Sequence, residues 1–439
     1  MMPSKTLTNP QFMARLGQIK KAAGPEGPDW LLSRKAAAWN AAVAGGFPSQ
    51  RDEEWKYTDL SSLLDLPVEP SAGPLGTADR DGRNGLFNPQ DITIVLADGY
   101  LPAELPSIPA GINGLTLKKF SAVSEKEFED RLTPAFDQPP EIFADLNTAL
   151  MPDGLWIHVP RQVQVKPVIH ICHLSRGKTA SKLFCPRVIV TTEPLAEAHI
   201  LMTFISLGGG TASFTNALTD ISVSSQAKIS LTTIQDENHS NFHVHSTRVS
   251  QQKDSGFENF SLTTGGRLTR NNLTVTLLEE GASTHLKGLY LLQGAQHADN
   301  HTVVNHIAPH GTSNQLYKGI LNGQSQAVFN GKIYVHPEAQ QTNAYQLNKN
   351  LLMGEHCRVN TKPQLEIFAD DVKCSHGATV GQLDEDEIFY LQTRAIPKKT
   401  AVSLLAKGFV EDLILQAPQD TVQERLYLTV NPIMEAVTR

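Results

Sequence analysis

The sequence predicts a mainly β protein in which a flattened parallel β-helix lies between an N-terminal and a C-terminal helical region. From Leu155 to Val380, short alternating runs rich in Thr, Ser, Asn and Val follow one another with little helical periodicity. Small residues recur before these runs at steps of 27, 28 or 29 residues, which is typical of a solenoid. Apolar residues at helical spacing are found near the two ends of the chain.

The first sixty residues are predicted to be helical. Asn9 can cap a helix that has Pro10 at its first position, and Gln11–Lys21 carries apolar residues at helical spacing. Asp29 is predicted to cap a second helix, and the charged and aromatic run Arg51–Leu60 follows it. Residues 67–90 are rich in Pro, Gly and Asp, which predicts a linker or surface loop.

A strand at Asp91–Leu96, and a helix followed by a loop over residues 121–150, are predicted to connect this region to the β-helix. The clearest predicted strands of the β-helix are Leu155–Val159, Val168–Leu174, Val188–Thr191, His199–Ser206, Lys228–Ile234, Phe242–Val249, Asn272–Leu278, His285–Leu292 and Ala327–Val335. The predicted units are a helical region and linker, a connecting α/β segment, the β-helix core and a C-terminal helical region, over residues 1–90, 91–154, 155–383 and 384–439.

A degenerate repeat supports the solenoid. Small residues precede strands at Ala198, Ala227, Ser255, Ala282, Gly311 and Ala339, and a second series lies near half the period at Ala212, Ser240, Ala295 and Ser325. Each coil is expected to have two long sides and two tight corners, where small residues fit. A β-sandwich is the alternative fold, but it does not predict a constant period across about 150 residues.

The chain after Asp384 is predicted to be helical again. Glu385–Thr393 is a short helix, Thr400 begins a longer one, and Asp420 can cap a third. Apolar residues of the second helix recur at spacings of three and four: Val402, Leu405, Ala406, Phe409, Val410, Leu413 and Ile414. Because the last coil of a solenoid exposes apolar edges, these helices are predicted to cap it, to dock a partner, or to do both.

Composition limits the class of protein. The 439 residues carry a net charge of −7 without a basic cluster interleaved with aromatics, so nucleic acid is not an expected partner. No apolar run approaches the roughly 20 residues that span a bilayer, and Met1–Lys5 does not lead into the apolar core of a signal peptide. We therefore expect a cytoplasmic protein. The four cysteines form no CxxC pair, which indicates thiols in a reducing compartment rather than disulfides or a ferredoxin-type cluster.

Two motifs are set aside, and a third pattern is disfavoured without being excluded. Gly177–Thr179 resembles the end of a P-loop, but Cys172 stands where the motif needs its first glycine, so ATP hydrolysis by this chain is not predicted. Histidines gather between His285 and His310, but no Glu follows His297, so a HExxH zinc site is absent. Many β-helices are carbohydrate-active enzymes with clustered carboxylates; apart from adjacent pairs such as Glu279–Glu280 and Asp370–Asp371, the acidic residues of this core lie singly.

Cys374 and His376 are a potential pair of metal ligands. They lie two residues apart, so in an extended segment both side chains point to one face of the strand. Taken alone, the pair favours a structural interpretation, in which Cys374 is a small core residue and His376 is hydrogen-bonded.

At this point the sequence resembles the SufB/SufD family of iron–sulfur cluster assembly proteins. The similarity is densest from His297 to Ile396, and the run Glu54–Thr58 is similar to the family's N-terminal marker. The N-terminal helical region and the run Lys373–Thr379 are similar to the SufD members rather than to SufB. The other motifs are Ala298–Thr302, Tyr317–Gly319, Val328–Ile333, Asn348–Leu352, Thr361–Ile367 and Gly381–Asp384.

The resemblance implies a right-handed parallel β-helix and a non-enzymatic scaffold subunit. Such a chain pairs with SufB through the C-terminal part of the β-helix and binds the ATPase SufC through its C-terminal helices. The complex builds a nascent cluster from iron and from sulfur delivered to SufB as persulfide. We expect no tightly bound cofactor on the isolated chain. SufD-like chains can form homodimers across the surface otherwise used for SufB, and whether this chain does so when alone stays open. Whether a reduced flavin binds the complex stays open.

The resemblance also names site residues. The family's site lies between SufB and SufD, with a cysteine of SufB and a histidine of SufD that corresponds to His376. Cys374 is the second candidate ligand. The ATPase is expected to dock on Leu405, Phe409, Val410 and Leu413. Two alternatives stay open, namely a purely structural partner of SufB that supplies no ligand, and a carbohydrate-active β-helix enzyme.

Overall fold

The computed structural model describes the protein over residues 9–24, 26–69, 85–176, 180–208 and 210–437. Gly177–Thr179 and most of the predicted linker therefore lie outside the described residues. The predicted parallel β-solenoid between helical ends is confirmed. Its strands form two long sheets that face each other across one core.

Within the described residues, the first sheet has nine strands, and every neighbouring pair in it is parallel. Its first strand belongs to the segment before Leu155, so that segment already forms part of the solenoid wall. In order across the sheet, the strands are β1 (Ile92–Ala97), β4 (Gln164–Ser175), β7 (Glu197–Ser206), β9 (Lys228–Asp236), β11 (Gly256–Thr263), β13 (Ser283–Leu292), β15 (Thr312–Leu321), β17 (Asn343–Leu352) and β19 (Lys373–Gly381).

The second sheet, as far as the described ranges show it, has ten strands and is parallel except where its first strand meets the second. In order, they are β2 (Thr116–Lys119), β3 (Leu155–Val159), β6 (Arg187–Thr192), β8 (Phe214–Val223), β10 (Phe242–Gln251), β12 (Leu268–Leu277), β14 (His297–His306), β16 (Gln326–Val335) and β18 (Arg358–Ile367), with β5 (Leu183–Phe184) beside β8. The nine strands predicted from the sequence all coincide with strands. The segments between them, such as β8 and β14, are strands as well.

The core is the lumen between the two sheets. Alternate residues of each strand point into it, and Phe204, Phe257 and Phe329 are fully buried there. Each coil therefore buries apolar side chains against the coils before and after it. This burial stabilises the fold by about 25 cal/mol for each Å² of apolar surface removed from water.

The strand register corrects the ends of the predicted repeat. Ala227, Ser255, Ala282 and Gly311 occupy equivalent positions, each just before a strand of the nine-stranded sheet. Ala198 does not, because Glu197 pairs with Lys228 and makes Ala196 the equivalent residue. Ala339 does not either, because Thr312 pairs with Asn343 and makes Thr342 equivalent. The coils at these two ends contain more residues than the predicted period of 27 to 29, because their corners hold extra residues.

The helices before β3 form a second apolar cluster at the N-terminal end of the solenoid. The Asn9 side chain accepts from the Phe12 N–H as predicted, whereas Asp29 is the first residue of its helix rather than its cap. The predicted loop before Leu155 ends in a buried helix. The helices are α1 (Pro10–Ala23), α2 (Asp29–Gly45), α3 (Ser61–Leu64), α4 (Glu125–Glu127), α5 (Thr133–Phe136) and α6 (Ile142–Leu150), with 3₁₀ turns at Glu53–Trp55 and Phe120–Ala122 and a π-helical turn at Phe128–Leu132.

The C-terminal helices do not cap the last coil, which corrects that prediction. They are α7 (Glu385–Thr393), α8 (Lys398–Ile414) and α9 (Asp420–Val437). The outer face of the nine-stranded sheet carries an apolar stripe that includes Leu201, Leu289 and Ile320, and α8 and α9 bury it. Hydrophobic burial is therefore satisfied along the side of the solenoid, and the end formed by β18 and β19 stays open.

The N-terminal half of the lumen also holds buried titratable groups. His243 Nδ1 lies 2.7 Å from Glu237 Oε2, and Thr215 donates to the other oxygen of this carboxylate at 2.6 Å. Burial alone raises the pKa of Glu237, but His243 beside it lowers the pKa overall. His173 is fully buried nearby, and within the described part of the chain neither of its ring nitrogens has a hydrogen-bond partner.

Candidate functional site

The open end of the solenoid is the two strands β18 and β19. Each is the last strand of its sheet, so within the described ranges one edge of each has no strand partner. Apolar side chains are exposed here: Ile367 at 37%, Phe368 at 57% and Val380 at 46%. In natural proteins, the edges of sheets are normally covered by other elements or protected by charged side chains. Two uncovered edges with exposed apolar side chains therefore indicate an interaction surface.

Cys374 and His376 both lie at this open end. On β19 they pair with Ala344 and Gln346, two buried lumen residues of β17, so both side chains are on the lumen face of the strand. The prediction that they share a face of an extended segment is confirmed.

The two residues differ in exposure. Cys374 is half-buried and packs against a small apolar cluster that includes Ile333 and Ala344, and burial raises the pKa of its thiol. His376 is exposed. An exposed imidazole is available as a ligand, whereas a protonated thiol in an apolar setting behaves as a core residue.

Behind His376, the lumen is lined by two buried polar side chains, Gln346 and Thr361, which we call the polar floor. Gln346 is only 3% exposed, and both polar atoms of its amide lack a hydrogen-bond partner among the residues described. The hydroxyl of Thr361, on the lumen face of β18, is buried without a described partner as well. A buried polar group left unpaired costs about 1–3 kcal/mol, so this floor is an incomplete arrangement at the open end.

The run Glu53–Thr58 is anchored on the outer face of the ten-stranded sheet. The guanidinium of Arg270 lies 3.7 Å from the centre of the Trp55 ring and donates to the carbonyl of Glu54 at 2.7 Å. It also donates to Asp299 at 2.7 Å, and Thr58 donates to the same carboxylate. Four strands contribute to this anchor, through Arg270 on β12, Asp299 and His301 on β14, Asn330 and Lys332 on β16, and Lys362 on β18.

The anchor is held by charge. Burial alone raises the pKa of Asp299, but Arg270 and His301 beside it hold this pKa well below its usual range. The hydrogen bond to His301 lowers the pKa of Glu54, against the opposing effect of its own partial burial. The sequence singled out both Glu54–Thr58 and Ala298–Thr302, but nothing in it showed that these motifs bind each other.

The predicted histidine cluster is divided between two faces. His297 and His301 belong to the anchor, at 3.0 Å from Thr58 and 3.2 Å from Glu54 respectively. His306 points into the lumen and lies 2.9 Å from the Ser313 hydroxyl. In the described part of the protein, no three His, Cys, Asp or Glu side chains come together in a way that could hold a metal ion. His376 alone can therefore supply only part of a ligand set.

The four predicted docking residues of α8 fall into two groups. Val410 and Leu413 are buried against the outer face of the nine-stranded sheet. Phe409 is half-buried and lies under the Lys318 ammonium at 4.9 Å, and Leu405 is also half-buried. Val410, Leu413 and Phe409 pack in the cluster that holds α8 on the sheet, and docking of the ATPase on the four residues stays a prediction. Among the described residues of the C-terminal helices, the exposed apolar side chains include Phe389, Tyr390, Leu404, Leu415 and Leu428.

Two grooves in the described part of the chain lie away from His376. One of about 790 Å³ runs along the outer face of the ten-stranded sheet, and one of about 610 Å³ lies at a corner near Tyr57. The carboxylates facing the larger groove are already engaged: Glu54 with His301, Glu141 with the first turn of α6, and Asp220 with Arg187 and Arg248. This arrangement does not favour a free acid–base pair, which a carbohydrate enzyme needs.

Across the described ranges, no helix is both long and apolar enough to cross a bilayer.

The fold and the site define a class of protein, a β-solenoid scaffold with an exposed candidate ligand at an open end. A model of the SufBD core domain of the SUF system for iron–sulfur cluster assembly matches residues 174–409. The chain belongs to the SufB/SufD family of iron–sulfur cluster assembly proteins, which confirms the resemblance seen in its motifs.

Three relatives are similar in sequence to this chain over most of its length. A SufBD family protein of Synechocystis is 32% identical over 408 residues, covering 90% of this chain and 89% of the relative. The iron–sulfur cluster assembly protein SufD of Escherichia coli is 31% identical over 372 residues, covering 84% and 85%. The chloroplastic protein ABCI7 of Arabidopsis thaliana is 32% identical over 397 residues, covering 86% and 81%.

Proposed function

We propose that this chain is the SufD-type scaffold subunit of an iron–sulfur cluster assembly complex, and that its open end pairs with a SufB-like partner to form a shared cluster site. The observation that carries the proposal is the position of His376, an exposed imidazole on the lumen face of the last strand. The partner is expected to supply the remaining ligands, including a cysteine, because His376 has no ligand set of its own.

The open end suits such a partner. Unpaired strand edges on β18 and β19 can continue two sheets into a second solenoid, and Ile367, Phe368 and Val380 offer apolar area beside them. When no SufB-like chain is present, two copies of this chain are expected to pair by the same surface around a two-fold axis.

His376 is proposed as a ligand of iron or of an edge of the nascent cluster, bound through a neutral ring nitrogen. Cys374 is the second candidate, and its packing against Ile333 and Ala344 favours a structural role. The cluster itself is the cargo of the complex, so no cofactor is proposed to stay on the isolated chain.

The His376→Ala variant tests the ligand role. The variant is reconstituted with SufB-like and SufC-like partners, and iron and sulfide are quantified after purification of the complex. Metal affinity is expected to fall about 100-fold or more, because a ligand is lost rather than a residue that supports one. Ser375→Ala is the matched control, since Ser375 is the neighbouring residue on the opposite face of β19. A complex of His376→Ala that assembles and loads normally would instead show a purely structural partner.

The C-terminal helices are proposed to bind the ATPase SufC. The free apolar surface there is Phe389 and Tyr390 on α7, exposed at 66% and 58%, with Leu404 on α8 at 49%. Lys318 of β15 binds the Phe409 carbonyl at 2.8 Å and Asp412 at 2.6 Å, so α8 is fixed to the sheet two strands from β19. A force that ATP-driven dimerisation of SufC applies to these helices can thus reach the open end through the sheet.

The double substitution Phe389→Ser and Tyr390→Ser tests this surface. It is expected to abolish co-purification with the ATPase while leaving the thermal unfolding of the chain nearly unchanged, because both side chains are mostly in water. Val43→Ser is the matched control, an apolar residue of α2 with 57% exposure. Normal capture of the ATPase by the double variant would place the docking surface elsewhere.

A further inference from the structure

Gln346 lies directly behind His376. The two residues pair in register on neighbouring strands and share the lumen face, so their backbones are about 4.8 Å apart. Gln346 is at the floor of the open end, one coil deeper than the exposed histidine. No other residue of β17 is paired with His376.

Gly331 leaves space in the lumen for the amide of Gln346. The Gln346 Nε2 lies where a Cβ atom on Gly331 would be, at 1.5 Å from that position, so the amide reaches across the lumen to the opposite sheet only because residue 331 is glycine. In the segments that the structure describes, neither atom of this amide has a hydrogen-bond partner. A buried amide that is sterically accommodated but unpaired points to a hydrogen bond that forms only when the site is assembled.

We propose that Gln346 positions the imidazole of His376. Its amide oxygen accepts the ring N–H that is not used for the metal, which fixes the tautomer and leaves the other nitrogen free to face the partner. Metal-bound histidines generally need such an acceptor behind them. The proposal rests on the proposed ligand role of His376 and assigns a residue that supports it.

The test compares Gln346→Met with Gln315→Met in the reconstituted complex. Gln315 pairs with Gln346 in the same lumen row, one coil farther from His376, so it is the matched control for loss of a buried amide. Gln346→Met is expected to lower iron affinity about 10–100-fold and to change the nitrogen hyperfine coupling of the cluster in pulsed EPR. Gln346→Glu keeps an acceptor oxygen at the same reach and is expected to restore both.

The outcomes separate this inference from the proposed function. A His376→Ala complex that loads normally overturns both. Loss of loading in His376→Ala with a wild-type spectrum and affinity in Gln346→Met overturns only the positioning role. Equal effects of Gln346→Met and Gln315→Met overturn it too, because they indicate general packing of the lumen. Thermal unfolding of the isolated chains controls for folding, and Gln346→Leu replaces the Met variant if that one does not fold.

Discussion

Arg270→Ala is expected to lower the free energy of unfolding by about 3–5 kcal/mol, because it leaves the carboxylate of Asp299 buried without its main counter-charge. The same substitution removes the cation from the face of Trp55 and the donor to the Glu54 carbonyl. The run Glu53–Thr58 should therefore detach from the sheet. The measurement is chemical unfolding of the isolated chain, with limited proteolysis at Lys56 as a second observation.

Lys332→Ala is the control for this prediction. Lys332 contacts the same run through Glu54, but at 3.9 Å and with both side chains partly in water, so its loss should cost about 1 kcal/mol or less. The double variant Arg270→Ala and Asp299→Asn should recover part of the lost stability, because the uncompensated charge is gone. If Arg270→Ala were no more destabilising than Lys332→Ala, the anchor would not depend on the buried ion pair.

The second large predicted effect is a loss of folding stability at acidic pH. Burial lowers the pKa of His173 to about 4, and it lowers those of His170, His245 and His306 to between about 3 and 4. In the unfolded chain a histidine titrates near 6.5, so below that pH the unfolded state binds protons that the folded state does not. Stability should thus be complete above about pH 6.5 and fall as the pH drops toward 4.

His173→Leu isolates one of these groups. At pH 5, a shift from about 6.5 to about 4 corresponds to about 2 kcal/mol, so the variant should gain that much over the wild-type chain between pH 7.5 and pH 5. At pH 7.5 it should be at least as stable, since neither ring nitrogen of His173 has a described partner. Chemical unfolding at the two pH values is the measurement.

Phe257→Leu is the control for His173→Leu. Phe257 is fully buried in the same lumen and has no titratable group, so the effect of its substitution on stability should be the same at both pH values. An unchanged pH dependence in His173→Leu would mean that this histidine is not kept neutral in the folded chain.

The solenoid could be predicted because its signal is local. Alternation within strands and the recurrence of Ala227, Ser255, Ala282 and Gly311 are properties of each coil, and they survive in the sequence. The end coils could not be predicted as well. Ala198 and Ala339 fit the period by chance, and only the backbone register shows that Ala196 and Thr342 take those places.

The sequence by itself determined the fold class, the family and the shared face of Cys374 and His376, because each depends on residue types at fixed short spacings. Only the tertiary structure decided that α8 and α9 cover the side of the solenoid, that the end with β18 and β19 stays open, and that Arg270 joins Trp55 to Asp299. These contacts join residues far apart in the chain, and the choice between competing apolar surfaces is made by packing, which local patterns do not encode.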